Sequence, residues 1–179
     1  MKKRILSAVI AIFVIVCLSV SALAEEETPT EYNNMVSLLM EGETGTVLQH
    51  NGGYEKVAQG TLNKLMTVLL TAEEIESGGL SINDVVTVSS NANAQTGAVV
   101  WLMPGEEITI EELLKSVIIG NANDASVALA EIVGGNEEEF TGMMNARAFE
   151  LGMRNTVFKN PAGYDCAGQY STPVSYTHL

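Results

Sequence analysis

A single apolar run near the N-terminus decides how much of this chain has to fold in water. Lys2, Lys3 and Arg4 precede Ile5 to Val20, which is almost unbroken in apolar residues, and Ser21-Ala22-Leu23-Ala24 follows with small residues two apart. A positive n-region, an apolar h-region and an A-x-A site are the parts of a secretory signal peptide. The abrupt polar start at Glu25-Glu26-Glu27 favours cleavage after Ala24 over retention as a membrane anchor, although about 18 apolar residues can span a bilayer. Residues 1–24 are therefore expected to be removed, the protein to be exported, and residues 25–34 to be a polar linker. Of 179 residues 155 remain, and six cations are left against 22 acids, a net charge of −16.

That charge argues against nucleic acid as a partner, since phosphate binding needs clustered Lys and Arg. Cys17 falls in the leader and leaves Cys166 as the only thiol, so no internal disulfide can form. His50 and His178 lie far apart in sequence with no metal-ligand spacing, so no metal is expected. His50, beside Asn51-Gly52-Gly53, reads as an exposed turn histidine rather than the base of a Ser-His-Asp triad. A hydrolase built on this chain needs another base, and lysine is the natural substitute.

Met35–Met40 and Thr46–His50 read as two strands of a hairpin around Glu41–Gly45, and Val85–Val88 as a short extended piece. Leu62, Leu65, Met66, Leu69 and Leu70 recur at helical spacing from Thr61 to Ser77, where Gly78-Gly79 stops the helix. Thr109 is expected to cap a helix to about Ile119. Asp124–Val133 is expected to form another, and Asn136 to cap a third from Glu137 to about Leu151. Asn160-Pro161-Ala162-Gly163 reads as a turn.

Two segments carry candidate chemistry. In Thr61-Leu62-Asn63-Lys64, positions i and i+3 share a helix face, so a hydroxyl and an amine can meet at a helix N-terminus. Partial positive charge and desolvation there lower a lysine's pKa and let it act as a base toward the hydroxyl. A helix cap followed by a surface lysine gives the same pattern. Asn121-Ala122-Asn123-Asp124-Ala125 links two helices. Its plain reading is an Asx-rich link with Asp124 as N-cap, and its functional reading puts Asn121 and Asn123 in a cleft beside Thr61.

Taken in order, these segments resemble the D-alanyl-D-alanine carboxypeptidases, the low-molecular-mass penicillin-binding proteins of serine peptidase type. Thr61-Leu62-Asn63-Lys64-Leu65-Met66-Thr67 resembles their S-x-x-K-[LI]-M-T box, and Asn121-Ala122-Asn123-Asp124-Ala125 their S-x-N-D-A box. Val100-Trp101-Leu102-Met103-Pro104-Gly105-Glu106, Phe158-Lys159-Asn160-Pro161-Ala162-Gly163 and Tyr170-Ser171-Thr172 resemble the flanking signatures. The resemblance implies an α+β, β-lactamase/penicillin-binding-protein-like fold, with residues 35–172 as its N-terminal part and the fold incomplete at the C-terminus. It implies Thr61 as nucleophile, Lys64 as base, Asn121 at the position of a proton-relaying serine and Asn123 as a substrate-binding amide. The substrate implied is a peptidoglycan pentapeptide ending in D-Ala-D-Ala, with β-lactams as inhibitors and no cofactor.

The departures from the pattern are specific. Thr61 adds a methyl to the nucleophile and Asn121 replaces the relay hydroxyl. The family's K-T-G strand does not occur in the 179 residues, so this chain is expected to be weak or inactive alone. Residues 173–179 do not continue the pattern and are expected to be non-native. The membrane is expected to matter only through the leader or a missing C-terminal anchor. The alternatives are a non-catalytic protein that binds wall peptide or β-lactam, and a β-lactamase, for which no deacylating Glu is identifiable.

Overall fold

The computed structural model describes residues 35–179, so the expected leader and linker lie outside the described residues. Val36–Leu179 form one compact unit.

Strands β1 (Ser37–Met40) and β2 (Val47–Asn51) pair antiparallel, with Ser37 opposite Asn51 and Leu39 opposite Gln49. Met40 then faces Val47, so one residue bulges out of β2. The connecting turn is closed by the Glu41 carboxylate, which accepts from the Glu43 and Thr44 amides and the Thr44 hydroxyl. These bonds hold its pKa below the usual carboxylate value, the hydroxyl contributing most. His50 lies in β2, exposed, with its ring edge-on to Tyr54 at 5.6 Å.

Helix α1 (Asn63–Ser77) follows a short 3-10 turn at Gly60–Leu62 and ends at Gly78, whose φ of 83° supplies the left-handed cap. Val85–Thr87 (β3) pairs with Glu107–Thr109 (β4), a partner that the sequence reading did not include. Between them lies one turn of helix, α2 (Ser90–Asn93), capped by Ser89. Thr109 caps α3 (Ile110–Ile118) through a full capping box: its hydroxyl accepts from the Glu112 amide, and the Glu112 carboxylate takes the Thr109 N–H. Such a box is worth about 1 kcal/mol. Helices α4 (Asn123–Gly134) and α5 (Glu137–Glu150) follow, the second capped by Asn136 as expected. Pro173–Tyr176 forms a last helical turn, α6, and the Tyr176 hydroxyl donates to the Leu62 carbonyl.

Helix α4 is the axis of the fold. Every residue from Asn123 to Ala130 is buried, which only a helix surrounded by protein allows. Its small residues let α1, α2, α3 and α5 approach closely. Leu102, Ile110, Leu113, Val117, Val127 and Leu129 fill one side of this core. Met66, Leu70, Phe140, Met144, Met153 and Phe158 fill the other. Fully burying a side chain such as Phe140 contributes about 2–3 kcal/mol. Helix α1 therefore has its start fixed against a rigid axis, and that start carries the first candidate segment.

Candidate active site

The first turn of α1 is polar where an amphipathic helix would be apolar. Asn63, Lys64 and Thr67 lie on one face by helical spacing, and all three are buried. Buried polar groups need partners, and these three find them in one place. Asn63 Nδ2 donates to the Asn160 carbonyl at 2.9 Å, Thr67 Oγ1 to Pro161 at 2.9 Å and Lys64 Nζ to Ala162 at 2.7 Å. Three consecutive carbonyls of one turn are thus taken by one helix face.

The turn itself is built by Asn160. Its Oδ1 accepts from the Gly163 and Tyr164 amides at 2.6 and 2.9 Å, and its Nδ2 donates to the Tyr164 carbonyl. Gly163 sits at φ +89°, and a Cβ there would lie 2.0 Å from the Gly60 carbonyl oxygen and 2.9 Å from the Thr61 nitrogen. Only glycine permits both the conformation and the approach.

Lys64 is 4% exposed. Among the described residues no carboxylate pairs with it, and burial lowers its pKa to about 8. When neutral, the amine donates to Ala162 and keeps its lone pair for a proton. Thr61, three residues earlier, is exposed, and its hydroxyl makes no hydrogen bond among the described residues. It is not the helix cap either, since Leu62 holds that position without a side-chain bond. The structure thus places Thr61 and Lys64 at the same helix start but does not show them hydrogen-bonded to each other.

The second segment reaches the first through Tyr164. The Tyr164 hydroxyl donates to the Thr96 carbonyl at 2.8 Å and accepts from the Thr96 amide at 3.1 Å. The same carbonyl accepts from Asn123 Nδ2 at 2.6 Å. Asn123 is therefore tied through Thr96 and Tyr164 to the turn that holds Lys64. Asn121 is exposed, in the left-handed region at φ 53°, and its side chain makes no hydrogen bond among the described residues. Asp124 is not the N-cap of α4; Ala122 occupies that position. The Asp124 carboxylate instead turns into the core and accepts from the Val100, Leu102 and Ala125 amides. A local pattern could not reveal this, because the partners lie 22 and 24 residues away.

Known proteins resemble this chain in sequence and in fold. The family model for D-alanyl-D-alanine carboxypeptidase matches residues 23–179. The chain belongs to this family. It is 38% identical over 174 residues to the D-alanyl-D-alanine carboxypeptidase DacF of Bacillus subtilis, covering 95% of this chain and 45% of that protein. The crystal structure of the carboxypeptidase DacD from Francisella tularensis is 32% identical with a TM-score of 0.76, over 78% of this chain and 34% of that one. Penicillin binding protein 5 from Haemophilus influenzae superposes with a TM-score of 0.76 at 28% identity, over 80% and 44% of the two chains. The chain therefore spans less than half the length of these relatives. Over that span the fold is the penicillin-binding-protein type expected from the sequence, with helices beside small antiparallel sheets.

Within the family framework, sequence reading named Thr61, Lys64, Asn121 and Asn123 and missed their supports. It gave no supporting role to Asn63, Thr67, Thr96, Asn160 or Tyr164, nor to the Ala162 carbonyl. The signal for two of them was present: Asn63 and Thr67 are polar positions on the face that an apolar helix buries.

Proposed function

We propose that the protein carrying this chain removes the terminal D-alanine from peptidoglycan stem peptides through an acyl-enzyme on Thr61. Membership of the carboxypeptidase family supports the reaction class. The observation that carries the assignment of roles is Lys64, buried with no counter-charge among the described residues and with its amine fixed 2.7 Å from the Ala162 carbonyl, one helical turn from an exposed hydroxyl.

Neutral Lys64 takes the Thr61 proton as the hydroxyl oxygen attacks the carbonyl of the penultimate D-alanine. The resulting tetrahedral centre collapses with cleavage of the peptide C–N bond. Lys64 returns the proton to the departing nitrogen, because the Asn121 amide lacks the exchangeable hydroxyl that a relay uses. D-Alanine leaves, an ester on Thr61 remains, and water activated by the same amine hydrolyses it. β-Lactams, whose ring carbonyl presents a similar electrophile, would form the same ester and act as inhibitors. We place the protein on the outer face of the cytoplasmic membrane or in the cell wall, on the strength of the leader-like N-terminus.

The base must be neutral to act, which fixes a pH dependence. Below pH 8 the rate of acylation by a penicillin should rise about tenfold per unit, and above it level off. Stopped-time labelling between pH 5.5 and 9.5 measures this directly, and a flat profile from 6 to 9 would exclude Lys64 as the base. The same shift has a stability consequence of fixed sign. The folded pKa lies below the ordinary 10.5, so between pH 8 and 10.5 the unfolded chain binds more protons and stability rises with pH.

A second reading, a wall-peptide-binding protein without turnover, draws on one observation. The Thr61 hydroxyl is not hydrogen-bonded to Lys64, and its added methyl restricts the rotamers from which it can attack. D-Alanine release by the full-length protein decides between the two.

A further inference from the structure

Two non-glycine residues among those described have positive φ, Asn121 at 53° and Trp101 at 63°. An Asn accepts the left-handed region readily, whereas a tryptophan does not. Trp101 is also 80% exposed, so no burial of its ring offsets the strain. What holds it is the buried Asp124 carboxylate, which takes the backbone N–H on each side, Val100 at 3.1 Å and Leu102 at 3.1 Å. Asn93 Nδ2 donates to the Leu102 carbonyl at 2.7 Å, and the Asn123 backbone N–H donates to the Ala98 carbonyl at 2.7 Å. Strained positions that are over-determined in this way are typical of ligand clamps.

The loop is fastened to the residues of the second candidate segment themselves, Asn123 and Asp124. Val100 also reaches the Gly120-Asn121 turn: a Cβ on Gly120 would lie 3.5 Å from Val100 Cγ1. Ile118 and Ile119, both exposed, lead into that turn. The loop that carries the exposed indole thus adjoins the Gly120-Asn121 turn of the second candidate segment, with exposed aliphatic side chains on either side of the junction. Val100, Ile118 and Ile119 are aliphatic and Asn121 offers the one exposed amide of the turn, so this surface suits the aliphatic stem of a side chain better than the several hydroxyls of a sugar.

We propose that Trp101, positioned by Asp124, contacts the aliphatic stem of the side chain that precedes D-Ala-D-Ala in the stem peptide. Trp101 is then a specificity residue and Asp124 a positioning residue. The proposal rests on the substrate class proposed above, and its test separates the two.

Two capped peptides serve as probes, one with diacetyl-lysine before D-Ala-D-Ala and one with acetylglycine there. In the full-length protein, Trp101→Ala should raise KM for the lysine peptide about tenfold, the value of one aromatic contact. The glycine peptide should change less than twofold, kcat should hold within twofold for both, and Trp101→Phe should recover most of the loss. Binding is read independently of turnover in a Thr61→Ala background, as the Trp101 emission isolated by subtracting the Trp101→Phe spectrum. The lysine peptide should shift that emission to shorter wavelength and the glycine peptide should not. An emission unmoved by the lysine peptide at millimolar concentration overturns the proposal, as does an equal response to both peptides. If neither peptide is turned over but the lysine peptide still shifts the emission, the carboxypeptidase reading fails and the contact stands.

Discussion

Replacing Lys64 with Met should lower the rate of penicillin acylation by a factor on the order of 10³ while leaving the fold intact. Two opposing terms make the structural part of this result predictable. The substitution leaves the buried Ala162 carbonyl without its donor, which costs about 1–3 kcal/mol. It also removes an amine that must be desolvated, and desolvation is the cause of its lowered pKa. The net change in stability should stay within about 2 kcal/mol, so circular dichroism and thermal unfolding should resemble those of the parent. A variant that acylates at the parental rate would remove Lys64 from the reaction. A variant that does not fold would show that the amine is a structural pin for the 160–164 turn, and Lys64→Gln, which keeps a donor, would then separate the two roles.

The second large effect belongs to a residue with no chemistry of its own. Gly163→Ala places a methyl where the Gly60 carbonyl oxygen already stands, 2.0 Å away, on a backbone at φ +89°. Both neighbours are backbone, so no side chain can swing aside. Strain and overpacking together should cost about 4 kcal/mol, close to 10 °C in Tm for a chain of this size. Activity should fall further than stability, because the turn that moves carries the Ala162 carbonyl and abuts the Thr61 nitrogen. Gly142→Ala is the contrasting substitution. It lies within α5 with nothing within 4 Å of the added methyl, and should stabilise by about 0.5–1 kcal/mol. Thermal unfolding of the pair checks both signs at once.

What could be read from the sequence was whatever is written locally. The β1–β2 hairpin, the apolar period of α1 and the Thr109 and Asn136 caps all depend on residues within a few positions of one another, and each stands where it was expected. Order and spacing of short motifs then gave the family and four candidate residues. The rest depends on contacts that no local window contains. Lys64 meets a carbonyl 98 residues away, Tyr164 meets Thr96 across 68, and Asp124 leaves the helix cap it could have occupied to hold a loop 22 residues upstream. Strand β4 was missed for a different reason: its three residues run directly into the capping box, whose signal dominates the segment. The Trp101 backbone is legible only in three dimensions, since nothing in Val-Trp-Leu-Met announces a positive φ.

The identity of the acylated residue tests most directly whether Thr61 is the nucleophile. The full-length protein carrying this chain is incubated with a labelled penicillin, digested, and the adduct located by mass spectrometry. The label should sit on Thr61, as an ester that is absent from Thr61→Ala and greatly slowed in Lys64→Met. A label on any other residue, or D-alanine release that survives Thr61→Ala, would contradict it.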